Sequence, residues 1–584
     1  FGELIIAITF VPILALQGIE GKMFTPLALT VAIALLASLL LSIFVIPALC
    51  GLLLRAQPEK ESPVMTRASR LYRPVLELSM SKPGLVAGAA VALLTLSLLI
   101  IPFLGTEFIP IMNEGAFDMD VALLPGVSLD KALEINRMVG EKLKQFPELG
   151  TVVGRIGQTG VALDARGVDK TGYVGILKLK SEWNREISRE ALTGEMREAI
   201  ETIPGIAFGF SQPIQCRIDE IVAGTRAQLI IKLFGEDLEV LRSKADEIAR
   251  VVAPLEGTAD LLVEKVSGQP YLTITIDRAR IARYGISIRE VQDVIETAIA
   301  GKSASTLYEE NRSFDIVVRL PEERRDSADL IGNILVRSPE GADIPLAQLA
   351  AIALTEGPAQ ISRENGLRRI GIEMNVTGRD MGGYVDEAAR VIREKVELPA
   401  GYYLQWGGQF ENQRRAMNRL LLIWPLVTGA IFLLLFVSLR SFRLALLIMA
   451  ILPFALIGGV VALFLSGQYL SVPASIGFIV LFGVAVLNGL VLVSHIDQLH
   501  SEGMALAEAI RQGARDRLRP VLMTASIAIF SLIPMLFATG TGSEIQKPLA
   551  IVVVGGLITS TLLTLIVLPA VYPWFAAKTR ASAD

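Results

Sequence analysis

A run of about 20 apolar residues crosses a bilayer as a helix, and few other features constrain a fold so tightly. Eight such runs can be read in this sequence, at about 1–16, 26–54, 84–104, 420–439, 444–465, 472–494, 520–538 and 549–574. Three precede a long polar stretch and five follow it. Composition agrees: hydrophobic residues make up 52% and charged residues only 20%, and mean hydropathy is +0.52. A soluble domain carries about a quarter charged residues. The chain therefore reads as a multi-pass membrane protein. Its 584 residues begin at Phe1, without Met and inside an apolar run, which reads as a fragment of a longer protein and not as a signal peptide.

The loops orient the spans. Arg55, Lys60, Arg67, Arg70, Arg73 and Lys82 lie between the second and third runs, Arg440 and Arg443 between the fourth and fifth. Arg511, Arg515, Arg517 and Arg519 lie between the sixth and seventh, and Lys578 and Arg580 follow the last. The alternate loops carry only Lys22 and Lys547. By the positive-inside rule the basic loops are cytoplasmic and the polar stretch lies on the opposite side. The expected organisation is two spans in 1–54, a cytoplasmic connector 55–83, a span at 84–104, an extramembrane region 105–415, five spans in 416–576 and a tail 577–584. Of two segments that read as surface helices, 505–518 is the clearer. It sets Leu506, Ala509, Ile510 and Ala514 against Arg511, Arg515 and Arg517.

The polar stretch, about 310 residues, alternates strand and helix patterns. Strands are expected at 117–124, 172–180, 207–210, 228–234, 271–276, 314–320, 334–337, 369–376 and 402–406. Helices are expected at 129–146, 189–203, 238–252, 288–300 and 383–396. Gly and Pro at Pro125-Gly126, Pro204-Gly205, Gly268 and Pro399-Ala400-Gly401 mark the joints. Repeated β-α-β blocks point to ferredoxin-like subdomains. The fold class is thus a membrane α-helical bundle plus an α+β region of ferredoxin-like βαβ subdomains.

Several chemistries are excluded. Two cysteines make no disulfide scaffold, and net charge −4 with a pI of about 5.7 argues against a nucleic-acid partner, which would need a basic surface. No Gly-x-x-x-x-Gly-Lys loop is present to cradle phosphate. The two histidines, His495 and His500, fall at the end of the sixth run, where interfacial solvation suffices. An exporter without ATP needs an ion gradient and an ionisable group in the membrane. The last five runs hold none near their centres. Asn488 is the strongest polar group there, with hydroxyls at Thr524, Ser526, Ser531, Thr559, Ser560, Thr561 and Thr564. They read either as glue between helices or as the wall of a proton path. Glu3 is the one carboxylate in a run, at its end.

The acids of the polar stretch say more. Asp118 and Asp120 are two apart on a strand and share a face, with Phe117 and Met119 opposite. Paired carboxylates suit hard or borderline divalent cations. A second cluster is Cys216, Asp219 and Glu220, with Cys216 and Glu220 on one face of a helical turn. A solvated acidic edge and an inert buried thiol are the plainer readings of each.

The layout and several motifs resemble the resistance-nodulation-division superfamily over essentially the whole chain. They are Gly105-Thr-Glu-Phe-Ile-Pro-Ile-Met-Asn-Glu-Gly115, Leu124-Pro125-Gly126, Gln212-Pro-Ile-Gln-Cys-Arg-Ile-Asp-Glu220, Phe482-Gly-Val-Ala-Val-Leu-Asn-Gly489, Gly542-Ser-Glu-Ile-Gln-Lys-Pro-Leu549 and Gly555-Gly556. They are most similar to the heavy-metal efflux branch, cobalt-zinc-cadmium type, from its fifth to its twelfth span. The resemblance implies an inner-membrane homotrimer exchanging cations for protons, with no resident cofactor. It implies a periplasmic adaptor protein, an outer-membrane channel and surrounding membrane lipid as partners. It also implies a cleft between porter subdomains and a docking subdomain for the channel.

The copper/silver type of this branch holds its ion with methionines. Asp120, Gly172 and Glu220 fall at those places here, which favours zinc, cobalt, cadmium or nickel. The ligands expected are Asp118, Asp120, Asp219 and Glu220, with Cys216 possible. Leu487 stands where some relatives carry a charged relay residue, beside Asn488. The relay carboxylates are then expected in the part of the protein that precedes this sequence. The alternatives are a multidrug or copper/silver exporter, or a membrane scaffold or protein-export subunit. An enzyme is disfavoured for want of a catalytic constellation.

Overall fold

The computed structural model describes residues 2–53, 62–157, 167–223, 226–265 and 267–576. The connector expected at 55–83 is thus described from residue 62 onward, and the tail 577–584 and the side chain of Glu3 lie outside the described residues.

Seven helices among the described residues are long and apolar enough to cross a membrane: Gly21–Leu53, Pro83–Phe103, Gln409–Leu439, Phe442–Leu465, Val472–Ser501, Leu506–Phe537 and Ser543–Phe575. The first run of the sequence forms only a shorter apolar helix, Leu4–Leu14. It is interrupted after Thr9, just before Pro12, whose ring removes a helix donor. Val472–Ser501 is the centre of the bundle, with 78% of its most apolar stretch buried, against none for Gly21–Leu53. Close approach comes from small residues. Gly458 and Gly555 face each other so tightly that a Cβ on either would meet the other's backbone. The Gly458 N–H donates to Thr559 Oγ1 at 3.1 Å.

One expectation is corrected. The segment 505–518 is not a separate surface helix but the first half of one 32-residue helix, Leu506–Phe537. Its buried residues Ile510, Ala514, Leu518, Val521 and Ala525 recur at three- and four-residue steps. One apolar seam therefore runs through Pro520 into the span. The connector forms a helix, Pro63–Ser81. Its Tyr72 hydroxyl donates to the Leu565 carbonyl at 2.8 Å. Its Glu77 accepts from Arg511 at 3.2 Å and Arg515 at 3.4 Å.

The extramembrane region holds two ferredoxin-like units. The first is β1 (Ala116–Ala122), a helix (Leu129–Leu143), β2 (Leu149–Ile156), β3 (Lys170–Leu177), a helix (Arg189–Glu201) and β4 (Ala207–Ser211). Its antiparallel sheet has the order β2-β3-β1-β4. The second opens with β5 (Leu229–Phe234), the helix Leu238–Val252 and β6 (Thr258–Val263). An insertion follows. Its stem is β7 (Ser267–Ile276), and its tip is the hairpin of β8 (Lys302–Glu309) and β9 (Arg312–Val318). A small pair, β10 (Leu335–Arg337) and β11 (Asp343–Pro345), comes next, and β12 (Ala350–Pro358) returns along β7. The unit then resumes with β13 (Ser362–Glu364), β14 (Leu367–Val376), the helix Met381–Lys395 and β15 (Tyr403–Gly408). Here β5 lies between β14 and β15, with β6 beyond β14, so the second sheet repeats the order of the first.

In each unit the helices cover one sheet face. Phe117, Met119 and Val121 of β1 join Ala132, Val139, Leu192 and Met196 in one core. Leu229, Ile231 and Leu233 of β5 join Leu241, Ile248, Tyr384 and Ile392 in another. Asp260 of β6, at φ +53°, joins the units. It pairs with Arg197, accepts the Phe210 N–H at 3.3 Å and accepts Asn375 Nδ2 at 2.8 Å.

Candidate metal site between a strand and a capped helix

The alternation of β1 turns Asp118 and Asp120 to the face its helices leave open. Asp120 stands in register with Gly172 on β3 and Gly209 on β4. With no side chain on either flank, the space above its carboxylate is open to another element.

That element is the helix Pro213–Ala223. Glu114 fixes it. The Glu114 carboxylate accepts the Ile214 N–H at 2.7 Å and the Gln215 N–H at 3.1 Å, filling donors that every helix start leaves free. The Glu114 N–H in turn donates to Gln212 Oε1 at 3.0 Å. Gly115, at φ +65°, lets the chain turn from this cap directly into β1. The two motifs, about 100 residues apart, are thereby locked together.

Cys216 sits on the first turn of that helix, 2% exposed. Its sulfur and one carboxylate oxygen each from Asp118 and Asp120 lie within 4.8 Å of one another. Tetrahedral Zn²⁺, with bonds of about 2.0–2.3 Å, sets its donors roughly 3.5 Å apart. Holding an ion there requires the three side chains to draw closer together. One thiolate with two carboxylates is a borderline donor set, suited to zinc, cobalt or cadmium rather than to Cu(I).

Asp219 and Glu220 do not join this cluster. Successive residues on a helix point about 100° apart, and these two acids go to different partners. Glu220 turns to two arginines, Arg217 Nη1 at 2.8 Å and Arg226 Nη2 at 3.2 Å. Asp219 turns inward, 3% exposed. It accepts from Gln215 Nε2 at 2.9 Å and from Gln409 Nε2 at 3.2 and 3.3 Å. Burial pushes its carboxyl up to about 7, against the lowering effect of the two amides. Glu107, half-buried where the chain leaves the span Pro83–Phe103, is likewise raised to about 7 by burial. It lines a cavity of about 480 Å³ with Arg189, Gln212, Gln215, Asp260 and Gln409.

Three residues of this arrangement escape the sequence reading. Gln409 opens the membrane helix Gln409–Leu439 directly after Gly408, which is at φ +87°. Glu114 is the cap. Arg226 donates from Nη1 to both oxygens of Asp120, at 2.9 and 3.1 Å. Its only signal was a basic residue just beyond the Asp219-Glu220 pair.

In the membrane, Asn488 is 3% exposed and its Nδ2 has no partner among the described residues. Thr559 bridges two helices through Gly458. Thr524 and Ser526 are exposed, not part of the bundle core, and Thr524 Oγ1 donates to the Pro520 carbonyl at 2.9 Å. Their helix turns Val521 and Ala525 inward instead. His495 Nε2 lies 3.2 Å from Asp516.

Residues 1–576 match the model of the AcrB/AcrD/AcrF family. The chain belongs to that family. Within it, the sequence is 42% identical over 581 residues to the cobalt-zinc-cadmium resistance protein CzcA of Cupriavidus metallidurans, covering 98% of this chain and 55% of that protein. It is 41% identical over 577 residues to the nickel and cobalt resistance protein CnrA of the same organism, covering 98% and 54%. Among solved structures, a heavy metal efflux pump (crystal form II) superposes with a TM-score of 0.89 at 35% identity, covering 98% of this chain and 56% of that one. The chain thus spans about half the length of the relatives it matches, whose names are those of heavy-metal resistance proteins and a heavy metal efflux pump.

Proposed function

We propose that this chain is part of an inner-membrane pump that exports divalent heavy-metal cations in exchange for protons. Asp118, Asp120 and Cys216 receive the ion. The observation that carries this reading is their convergence within 4.8 Å from two distant motifs. The names of the relatives, which cite resistance to cobalt, zinc, cadmium and nickel, support it. The basic loops support a cytoplasmic placement for one end of the bundle and a periplasmic one for the two ferredoxin-like units. A homotrimer that works with a periplasmic adaptor and an outer-membrane channel is the assembly proposed. The coupling protons are proposed to pass the buried polar groups of the bundle, Asn488 first.

The residues divide the work. Asp118 and Asp120 supply charge, and the Cys216 sulfur supplies preference for the softer divalent ions. Glu114 keeps Cys216 over the strand. Asp219 and Gln409 tie the helix that carries Cys216 to a membrane helix. The test is calorimetric titration of the full chain in lipid nanodiscs with Zn²⁺, Co²⁺, Cd²⁺ and Cu(I), beside the Asp118→Asn/Cys216→Ala variant. Divalent binding that the variant loses is expected. Divalent binding that survives in it, or a preference for Cu(I), sinks the assignment.

A further inference from the structure

One acid of the proposed site, Asp120, is already matched by a cation. Arg226 places Nη1 against both oxygens of Asp120 and Nη2 against Glu220, while Glu220 is held from its other oxygen by Arg217. The Arg226 side chain is 18% exposed and that of Asp120 33%. A guanidinium does not lose its proton in a protein, so this charge can be moved but not neutralised.

A metal held by Asp118, Asp120 and Cys216 needs an oxygen of Asp120 that Nη1 now occupies. It also places a second positive charge beside the first, and like charges at that range repel strongly. The fork of Arg226 offers a way out. Nη1 releases Asp120, and Nη2 keeps Glu220. We infer that Arg226 is a tethered cation that holds the metal's place at Asp120 and is displaced when a divalent ion enters. This rests on the metal-site reading above and adds a specificity-determining residue to it. An incoming ion must outcompete a full positive charge, so a monovalent ion gains nothing electrostatically, whereas a divalent ion does. On release, Arg226 returns to Asp120 and keeps the carboxylate from being left uncompensated, a state that is costly in a half-buried site.

The experiment titrates Co²⁺ and Zn²⁺ into the full chain in nanodiscs for wild type, Arg226→Gln, Arg226→Lys and Cys216→Ala. Metal release into excess chelator is followed by stopped flow. Arg226→Gln is expected to bind about tenfold more tightly, the gain from removing one competing charge-assisted contact worth about 1.4 kcal/mol. Its release slows in proportion. Arg226→Lys keeps a cation and stays near wild type. Equal or weaker binding by Arg226→Gln, with wild-type binding intact, overturns the inference and makes Arg226 a scaffold for Asp120. If neither wild type nor Arg226→Gln binds and Cys216→Ala changes nothing, the metal site itself falls and this inference with it. A second check is Glu220→Gln. Alone it commits Arg226 to Asp120 and weakens binding, and combined with Arg226→Gln it adds nothing to the single variant. Additive effects in that cycle also overturn the inference.

Discussion

The two ferredoxin-like units share a sheet order, yet their central strands are used in opposite ways. β1 buries every second residue and leaves Asp118 and Asp120 on the other face. β5 is buried at every position. The outer face of β5 is closed by its own unit. Phe234 stacks on Tyr403 with centroids 4.9 Å apart. Lys232 lies 2.9 Å from Glu364, whose neighbour Arg369 reaches both Glu364 and Glu264 at 3.4 Å. In the first unit the equivalent face is roofed by the capped helix Pro213–Ala223, and the gap beneath holds the proposed site. The same fold supplies a closed scaffold once and an open cradle once. The difference is made by which residues occupy one face of one strand.

The comparison can be broken in several ways. On their inner faces the strands should behave alike. Met119→Ala and Ile231→Ala each remove a fully buried side chain and are expected to cost about 2–5 kcal/mol, read as a drop in thermal midpoint. A tolerant Met119 would mean that the first unit is not packed as the second is. On their outer faces they should part. Asp118→Asn with Cys216→Ala should cost divalent affinity about a hundredfold by calorimetry, near 2.7 kcal/mol. Lys232→Met should leave that affinity unchanged while costing stability about 1–2 kcal/mol, because Glu364 keeps Arg369. Altered metal binding in Lys232→Met would show that the closed face also serves the site.

The pH dependence sharpens the same contrast. Asp219 titrates near 7 in the fold, above its ordinary 3.8, so the folded state holds a proton that the unfolded chain releases. Its contribution is complete below the ordinary value and is lost as pH rises through 7. The thermal midpoint should fall between pH 5 and pH 8 by the equivalent of on the order of 2 kcal/mol. Asp219→Asn, which still accepts from Gln215 and Gln409, should flatten that slope. An unchanged slope would assign it to another group such as Glu107. The smallest effect expected is that of Glu114→Ala, about 1 kcal/mol for a lost helix cap. Its metal affinity should fall more than its stability, since the helix that carries Cys216 loses its anchor.

Much of this was legible in the residues. The helix Leu238–Val252 forms over the very range its periodicity predicts, because Asp237 caps it through Glu239 and Val240 at 2.8 and 3.0 Å. β1 was legible from the alternation of Phe117, Met119 and Val121. β2 was not, since its residues are mostly exposed and carry no alternation. β8 is exposed on both faces for the same reason, and its partner β9 was placed two residues late. The pairing of Asp118 with Asp120 follows from strand geometry alone. Their meeting with Cys216 does not. It depends on Glu114 docking a helix start, a contact with no periodic signature. Asp219 and Glu220 looked like one acidic cluster because they are adjacent in sequence, yet on a helix they point about 100° apart and reach different partners. The charge that balances Glu220 and Asp120, Arg226, belongs to a segment with no pattern to mark it.

The join at Gly408 has a mechanical meaning. β15 ends there and Gln409–Leu439 begins at the next residue, with no loop between sheet and bilayer. A helix of 31 residues is a rod of about 46 Å. Its upper end is hinged on one glycine and bonded through Gln409 to the helix that holds Cys216. A small tilt of that rod within the lipid becomes a displacement at the strand edge. Work done deep in the bundle would then reach the thiol as motion along a crank, with no diffusing messenger.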